Sequence, residues 1–233
     1  MEPVVCLRGA VVVIGRFPAL SGIDLDVAAG EIVLLRGANG SGKTTLLRTC
    51  AGLLSPARGS VQVLGQDLVA NPRAVRRRVA LSGHNTGLYD ELTALENARF
   101  WARAAGATTA DADRSLRRVG LEPRLDRIAV SRLSAGQRRR VGLATVIARR
   151  PELWLLDEPH AGLDQAGRDL LDDLVTEAAG AGATIMLASH DLDRATKLAD
   201  RVVMLAGGTV GSDDYVGSRR VSDPGATAVA RVS

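Results

Sequence analysis

The sequence predicts an α/β fold with a mostly parallel sheet, because short apolar runs alternate with helical patterns along the chain. Most of these runs have no polar face, which is typical of strands covered on both sides. The helical patterns repeat apolar residues at intervals of three and four. The predicted strands are residues 11–14, 31–35, 61–64, 153–156, 184–188 and 201–205, and the predicted helices are residues 44–54, 93–105, 135–149 and 166–179.

Length and composition fit one domain with a small subdomain. The 233 residues are enough to bury a core, and 46% hydrophobic with 24% charged residues excludes a globally disordered chain. The middle stretch, about residues 86–150, has helical patterns without a strand pattern, so we expect an inserted helical subdomain. We expect the domain to cover residues 3–210, a short hairpin to follow Gly207, and residues 211–233 to form a short flexible tail. We expect neither a membrane-spanning helix nor a secretory signal, since no apolar run is long enough and the chain start lacks the signal pattern.

The charge balance favours no particular partner. The formal net charge is +4, and the basic residues are scattered. Two arginine runs, residues 76–78 and 138–140, are predicted to be solvated helix faces, so we expect no nucleic-acid partner. Cys6 and Cys50 are the only cysteines, and they are predicted to be free thiols, with Cys50 in the core.

A glycine-rich motif follows the predicted strand at residues 31–35. It matches the pattern G-x-x-x-x-G-K-[ST], in which glycines let backbone N–H groups point at one phosphate chain. The following helix adds the positive end of its dipole. Lys43 is predicted to reach the β- and γ-phosphates, and the Thr44 hydroxyl to ligate Mg²⁺. The predicted nucleotide-binding residues are Gly37, Ala38, Asn39, Gly40, Ser41, Gly42, Lys43, Thr44 and Thr45.

Two carboxylates end the predicted strand at residues 153–156. Asp157 is predicted to hold Mg²⁺ beside the phosphates, and Glu158 to act as a general base on the attacking water. Parallel sheets gather such strand ends at one crevice. His190 ends the next apolar strand, where it could donate a hydrogen bond to the γ-phosphate.

Five residues between the phosphate loop and Asp157 complete a family resemblance. The segment Leu133, Ser134, Ala135, Gly136, Gln137 resembles the LSGGQ signature of ATP-binding cassette (ABC) ATPases, with alanine for the first glycine. The order of the phosphate loop, signature, acidic strand end, a D-loop-like segment at residues 161–164 and His190 is also similar to that family. The resemblance implies a P-loop NTPase core with an N-terminal antiparallel β subdomain and an inserted helical subdomain. It also implies ATP hydrolysis with Mg²⁺.

The resemblance also implies partners. The signature precedes a helix whose N-terminus offers a second anion site, which in this family faces away from the same chain's phosphate loop. A head-to-tail homodimer would therefore hold each ATP between residues 37–45 of one subunit and residues 134–137 of the other. The family also implies integral membrane transporter subunits, docked beside residues 84–92, and a location on the cytoplasmic face of the cell membrane.

Two positions depart from the family pattern. A glutamine usually begins the loop that senses the γ-phosphate, and here that position holds His84, which can donate to a Mg²⁺-bound water or a phosphate. The aromatic residue that usually stacks on adenine aligns with Ile14, and Phe17 is a nearby substitute.

Several short segments together resemble the ATPase subunit of bacterial haem exporters in cytochrome c maturation. They are residues 83–84, residues 92–97, the signature followed by residues 138–141, and residues 153–154. Drug and antibiotic exporters have similar cassettes and remain an alternative. A soluble cassette ATPase acting on DNA or ribosomes, and a non-catalytic nucleotide sensor, are weaker alternatives.

Overall fold

The computed structural model describes residues 2–83 and 87–216, which form two sheets and seven helices. The strands are β1 (Val5–Ile14), β2 (Phe17–Val27), β3 (Ile32–Arg36), β4 (Arg58–Val63), β5 (Gln66–Asp67), β6 (Val79–Ser82), β7 (Leu153–Asp157), β8 (Thr184–Ala188), β9 (Arg201–Ala206) and β10 (Thr209–Tyr215). The helices are α1 (Lys43–Cys50), α2 (Pro72–Arg78), α3 (Ala94–Ala104), α4 (Thr109–Arg118), α5 (Ala135–Arg149), α6 (Gln165–Gly180) and α7 (Leu192–Leu198).

The larger sheet carries the site. Its strand order is β10-β9-β3-β8-β7-β6, and all neighbours are parallel except β10, which runs antiparallel to β9. The predicted strands at residues 31–35, 153–156, 184–188 and 201–205 correspond to β3, β7, β8 and β9, which confirms the mostly parallel α/β fold. The prediction missed β6, a strand of four residues that directly follows the arginine run of α2.

Both faces of this sheet are covered, which explains its apolar strands. On one face, Leu34 and Leu156 pack with the helices α3 to α6. On the other, Leu35 and Leu155 pack with α1 and the N-terminal sheet. Alternate residues of one strand therefore serve two cores, and a polar residue in mid-strand would lie in one of them.

The second sheet is antiparallel, with strand order β2-β1-β4-β5, as the family resemblance implied. The predicted strand at residues 11–14 is the end of β1. The predicted strand at residues 61–64 overlaps the last residues of β4. The prediction missed β2, which pairs with β1 along its whole length and places Ala19 next to the phosphate loop.

The segment between β6 and β7 contributes α3, α4 and α5. Each of these helices begins with a capping box, in which the N-cap side chain and the third helical side chain satisfy each other's backbone N–H. The pairs are Thr93 with Glu96, Thr108 with Asp111, and Ser134 with Gln137. The local sequence therefore determines where these helices begin.

The C-terminal edge of the larger sheet extends further than the sequence predicted. Residues 211–215, assigned above to a flexible tail, lie in β10 and pair with β9. Arg201 explains the pairing, because its guanidinium lies 3.2 Å from the carboxylate of Asp213 and against the ring of Tyr215. Residues 217–233 lie outside the described residues. Over residues 2–83 and 87–216, the protein forms no helix long and apolar enough to span a membrane.

Candidate nucleotide site

The phosphate loop connects β3 to α1 and depends on its glycines. Gly37, Gly40 and Gly42 have φ angles of 146°, 78° and 109°, a region that favours glycine. A Cβ atom at Gly37 would lie 2.2 Å from the carbonyl oxygen of Leu205. One at Gly42 would lie 2.9 Å from that of Ala19. Both the backbone conformation and the close packing therefore exclude other residues at these two positions.

Lys43 is held inside the loop. Its Nζ donates hydrogen bonds to the carbonyl oxygens of Gly37 at 2.7 Å and Ala38 at 3.1 Å, and the residue is only 8% exposed. The buried Oγ of Ser41 has no hydrogen-bond partner in the described structure. The loop thus offers a buried cation and an unsatisfied hydroxyl, the donors that an anionic phosphate chain accepts.

One cavity of about 540 Å³ brings most of the predicted site residues together. It opens between the phosphate loop and the carboxyl ends of β7 and β8, where parallel sheets place their ligands. The lining residues are Ile14, Ala19, Asn39, Gly40, Ser41, Gly42, Lys43, Thr44, Thr45, Asp157, Glu158 and His190.

The oxygen ligands expected for a divalent cation lie side by side. The Thr44 hydroxyl donates to Oδ2 of Asp157 at 2.8 Å, so the two oxygens share one place at the mouth of the loop. Hydroxyl and carboxylate oxygens are the hard ligands that Mg²⁺ prefers, and it usually keeps several waters of its own. The two residues fit such an ion.

Glu158 has an unusual backbone conformation. Its φ angle is +52°, in the left-handed region that residues other than glycine rarely adopt. Its N–H donates to the carbonyl oxygen of Ala188 at 2.8 Å, and its Oε2 accepts from the His190 N–H at 3.0 Å. The His190 ring lies beside the same carboxylate, with Nε2 3.4 Å from Oε1. These contacts hold the Glu158 carboxylate beside His190, in the lining of the cavity.

Sequence reasoning missed one residue behind this site. Arg139 was assigned to a solvated helix face, and that prediction is wrong, because its guanidinium donates to the backbone carbonyls of Gly83, at 2.7 Å, and Glu158. Burial lowers the pKa of Arg139, although the carboxylates of Asp157 and Glu158 oppose the shift. The other arginine run, residues 76–78, is only partly solvated as predicted. Arg76 and Arg77 are exposed, while Arg78 pairs with Glu152.

The signature residues Ser134, Ala135, Gly136 and Gln137 do not line the cavity. Ser134 is the N-cap of α5, its Oγ accepts from Gln137 N–H at 3.2 Å, and its own N–H donates to Gln137 Oε1 at 2.9 Å. The first backbone bond of the helix runs from Arg138 to Ser134. The N–H groups of Ala135 and Gly136 therefore precede the helical bonding pattern, which leaves them available to an anion.

Part of the cavity lining is aliphatic. Ile14, half-exposed at 49%, lines it together with Ala19. Phe17, the proposed aromatic substitute, is 79% exposed and is absent from the cavity lining. His84, the candidate for the γ-phosphate loop, lies outside the described residues.

A larger groove of about 790 Å³ lies between the α/β core and α3 and α5. It touches the nucleotide cavity at Thr44 and Asp157, and the exposed side chain of Leu53 lies on its rim. Trp101 forms part of the wall and packs against the Arg149 guanidinium, 5.5 Å from the ring centroid. Phe100 and Trp101 pack edge to face. Cys50, as predicted, is a buried free thiol, and burial raises its pKa to about 12.

Comparisons with known proteins identify relatives over most of the chain. The family model for ABC transporters matches residues 20–161. The cytochrome c biogenesis ATP-binding export protein CcmA of Bordetella bronchiseptica is 45% identical over 179 residues, which are 76% of this chain and 80% of that protein. The daunorubicin/doxorubicin resistance ATP-binding protein DrrA of Streptomyces peucetius is 36% identical over 218 residues, or 92% of this chain and 66% of that protein.

Solved structures share the fold over nearly the whole chain. An ATP-binding subunit of an ABC transporter superposes with a TM-score of 0.85 at 30% identity, covering 91% of this chain and 90% of that one. The cassette MJ0796, a dimer in a post-hydrolysis state bound to ADP and phosphate, superposes with a TM-score of 0.82 at 26% identity, covering 92% of this chain and 99% of that one.

Proposed function

The chain belongs to the ABC transporter family of ATPases, and on that premise we propose that it energises an exporter whose membrane-spanning parts are separate subunits. The observation that carries the proposal is the single cavity that joins the phosphate loop to Asp157, Glu158 and His190. We place the protein on the cytoplasmic face of the membrane, where ATP is available, and bound there through its partners.

In the proposed reaction, the loop holds ATP and the strand ends act on it. Lys43 and the N–H groups of residues 37–45 bind the β- and γ-phosphates. Glu158 accepts a proton from the attacking water as the water oxygen bonds to the γ-phosphorus and the bond to the β-phosphate oxygen breaks. His190, beside Glu158, donates to the γ-phosphate. Mg²⁺, when held by Thr44 and Asp157, neutralises charge on the phosphates. His84 belongs to this proposal as a donor from the neighbouring loop.

The active unit is proposed to be a head-to-tail homodimer. Residues 134–137 do not line the cavity, so the N–H groups of Ala135 and Gly136 would bind a phosphate held by another chain. The MJ0796 cassette, similar in fold, is a dimer bound to the products of hydrolysis. Each ATP would be held between the phosphate loop of one subunit and the signature of the other.

The proposed cargo follows from the relatives. The CcmA proteins of three genera, Bordetella, Rhodospirillum and Bradyrhizobium, are 40–45% identical to this chain, and they favour export in cytochrome c biogenesis, with haem as the candidate cargo. The drug-resistance protein DrrA is less identical but aligns with 92% of the chain, and this favours drug export as the second candidate.

We propose that the groove beside α3 receives a membrane subunit. Leu53→Glu would replace an exposed apolar side chain of the groove with a charged one, and we expect this to reduce co-purification of membrane proteins from native membranes about tenfold or more, since it removes an apolar contact and adds a charge that docking must desolvate. Val69→Glu is the control, because Val69 is equally apolar and exposed but does not line the groove.

Mass spectrometry of the captured proteins tests both the transporter role and the cargo. Cytochrome c assembly proteins would favour haem export, and permeases of the drug-exporter type would favour the second candidate. If the wild-type chain hydrolyses ATP but captures no membrane protein, the transporter role is wrong. If Leu53→Glu captures as much as Val69→Glu, the docking surface is wrong.

We place the nucleotide base against the aliphatic part of the cavity lining, which predicts weak selectivity between adenine and guanine. Ile14 and Ala19 offer no hydrogen bond to a purine edge, so we expect kcat/KM for GTP within about tenfold of that for ATP. Ile14→Tyr should lower the KM for ATP about fivefold by adding a stacking contact of ~1 kcal/mol. Phe17→Ala, outside the cavity, should change KM less than about twofold. A large rise in the KM for ATP in Phe17→Ala would instead assign base stacking to Phe17.

A further inference from the structure

A buried contact links the signature helix to the Glu158 backbone. Arg139 lies on α5, whose N-terminus carries residues 134–137. Its guanidinium reaches the carbonyl of Glu158 with one nitrogen and that of Gly83 with the other. In the described part of the chain, Arg139 forms no ion pair with a carboxylate. A half-buried arginine that spends its donors on two backbone carbonyls fixes the relative position of three chain segments.

The first of those segments needs the support. Glu158 holds a left-handed conformation that is unfavourable in a residue other than glycine, and it persists only where neighbours hold it. Its carbonyl oxygen accepts from Arg139 and from the Ala161 N–H at 3.2 Å. The conformation in turn aims the carboxylate at His190. Loss of the arginine would let the peptide rotate and move the carboxylate.

The second segment follows β6 and lies beside the acidic end of β7. Gly83 ends the described chain before residue 84, and a Cβ atom placed on it would lie 3.7 Å from the Cβ of Asp157. The fork of Arg139 therefore joins the residue that follows β6 to the acidic end of β7. The third segment is α5, a helix of 15 residues that carries the signature at its N-terminus.

We propose that Arg139 is a positioning residue that aligns the Glu158 carboxylate and makes its alignment depend on the position of α5. The inference rests on the role proposed for Glu158. In the proposed dimer, the signature at the N-terminus of α5 binds the ATP held by the partner subunit. Through α5 and Arg139, this binding would set the position of the Glu158 carboxylate in the subunit's own site. Hydrolysis in one site would then respond to closure at the other.

The test compares turnover with ATP affinity. Arg139→Met retains much of the side-chain volume but has no donors. We expect its kcat to fall between about tenfold and 100-fold, because small displacements of a catalytic group have effects of this size, while KM for ATP stays within about twofold. Arg139→Lys retains one donor group that cannot span both carbonyls, and its kcat should lie between those of wild type and Arg139→Met. Arg103→Met, which removes an exposed arginine from α3, is the control for lost charge.

A double-mutant cycle separates positioning from general structural damage. In a Glu158→Gln background, Arg139→Met should change the residual single-turnover rate by less than about twofold, because the group it positions is already absent. If the two losses multiply, Arg139 does not act through Glu158 and the inference is overturned. Arg139→Lys takes its place in the cycle if Arg139→Met does not fold, as judged by thermal melting.

The outcomes also distinguish this inference from the proposed function. Wild-type turnover in Glu158→Gln alone would remove the base from the mechanism. Lost turnover in Glu158→Gln together with wild-type kcat in Arg139→Met would leave the mechanism intact and overturn only the positioning role.

Discussion

Glu158→Gln is expected to lower steady-state ATP turnover by about 10²–10⁴-fold, the range that a positioned general base contributes. The substitution keeps the size of the side chain, and its amide can still accept from the His190 N–H. It removes only the ability to take a proton from water. Binding through the phosphate loop should remain, so ATP would stay uncleaved and the ATP-bound state would accumulate.

That accumulated state should be a dimer. Light scattering of Glu158→Gln should give the 24.4 kDa monomer without nucleotide and twice that mass with ATP and Mg²⁺. Glu122→Gln, on an exposed glutamate away from the cavity, should hydrolyse ATP at the wild-type rate. Turnover by Glu158→Gln within about twofold of wild type would assign the base elsewhere.

The phosphate loop was predictable from the sequence because the constraints on its backbone conformation are mostly local. Glycine conformations, the lysine position and the helix start lie within residues 37–45, so spacing alone predicts them. Asp157 was equally predictable, since it ends an apolar run and strand ends of a parallel sheet meet at one edge. The helix starts of α3 and α5 follow local capping boxes, and the predicted helices at residues 93–105 and 135–149 agree with them within a residue or two.

The missed features depend on contacts between distant parts of the chain. Arg139 contacts Gly83 across 56 positions and Glu158 across 19. A single sequence shows only that it belongs to an arginine run, which is usually solvated. The left-handed conformation of Glu158 likewise follows from tertiary contacts, because glutamate has no preference for it. The strand β6 forms because β7 lies beside it, and its four residues carry too little pattern to be recognised alone.

Ala135→Glu should abolish the ATP-induced dimer while making α5 no less stable. Ala135 is the exposed first residue of α5, so the substitution disturbs neither the core nor the Ser134 cap. A carboxylate in the first turn of a helix interacts favourably with its dipole, typically by 0.3–1 kcal/mol. The same carboxylate would repel a phosphate delivered by a second chain. Stability and dimerisation are therefore expected to change in opposite directions.

The measurement uses the Glu158→Gln background, in which the dimer is expected to accumulate. Ala135→Glu should remain at the monomer mass with ATP and weaken dimerisation by at least about 100-fold, because like charges at an interface cost several kcal/mol. ATP binding to the monomer should survive, since Ala135 does not line the cavity that contains the phosphate loop. Thr109→Glu is the matched control, because Thr109 is the exposed first residue of α4 and carries the same helix-start geometry. A full dimer of Ala135→Glu in ATP would show that the N-terminus of α5 does not bind the partner's phosphates, and the head-to-tail arrangement would have to be abandoned.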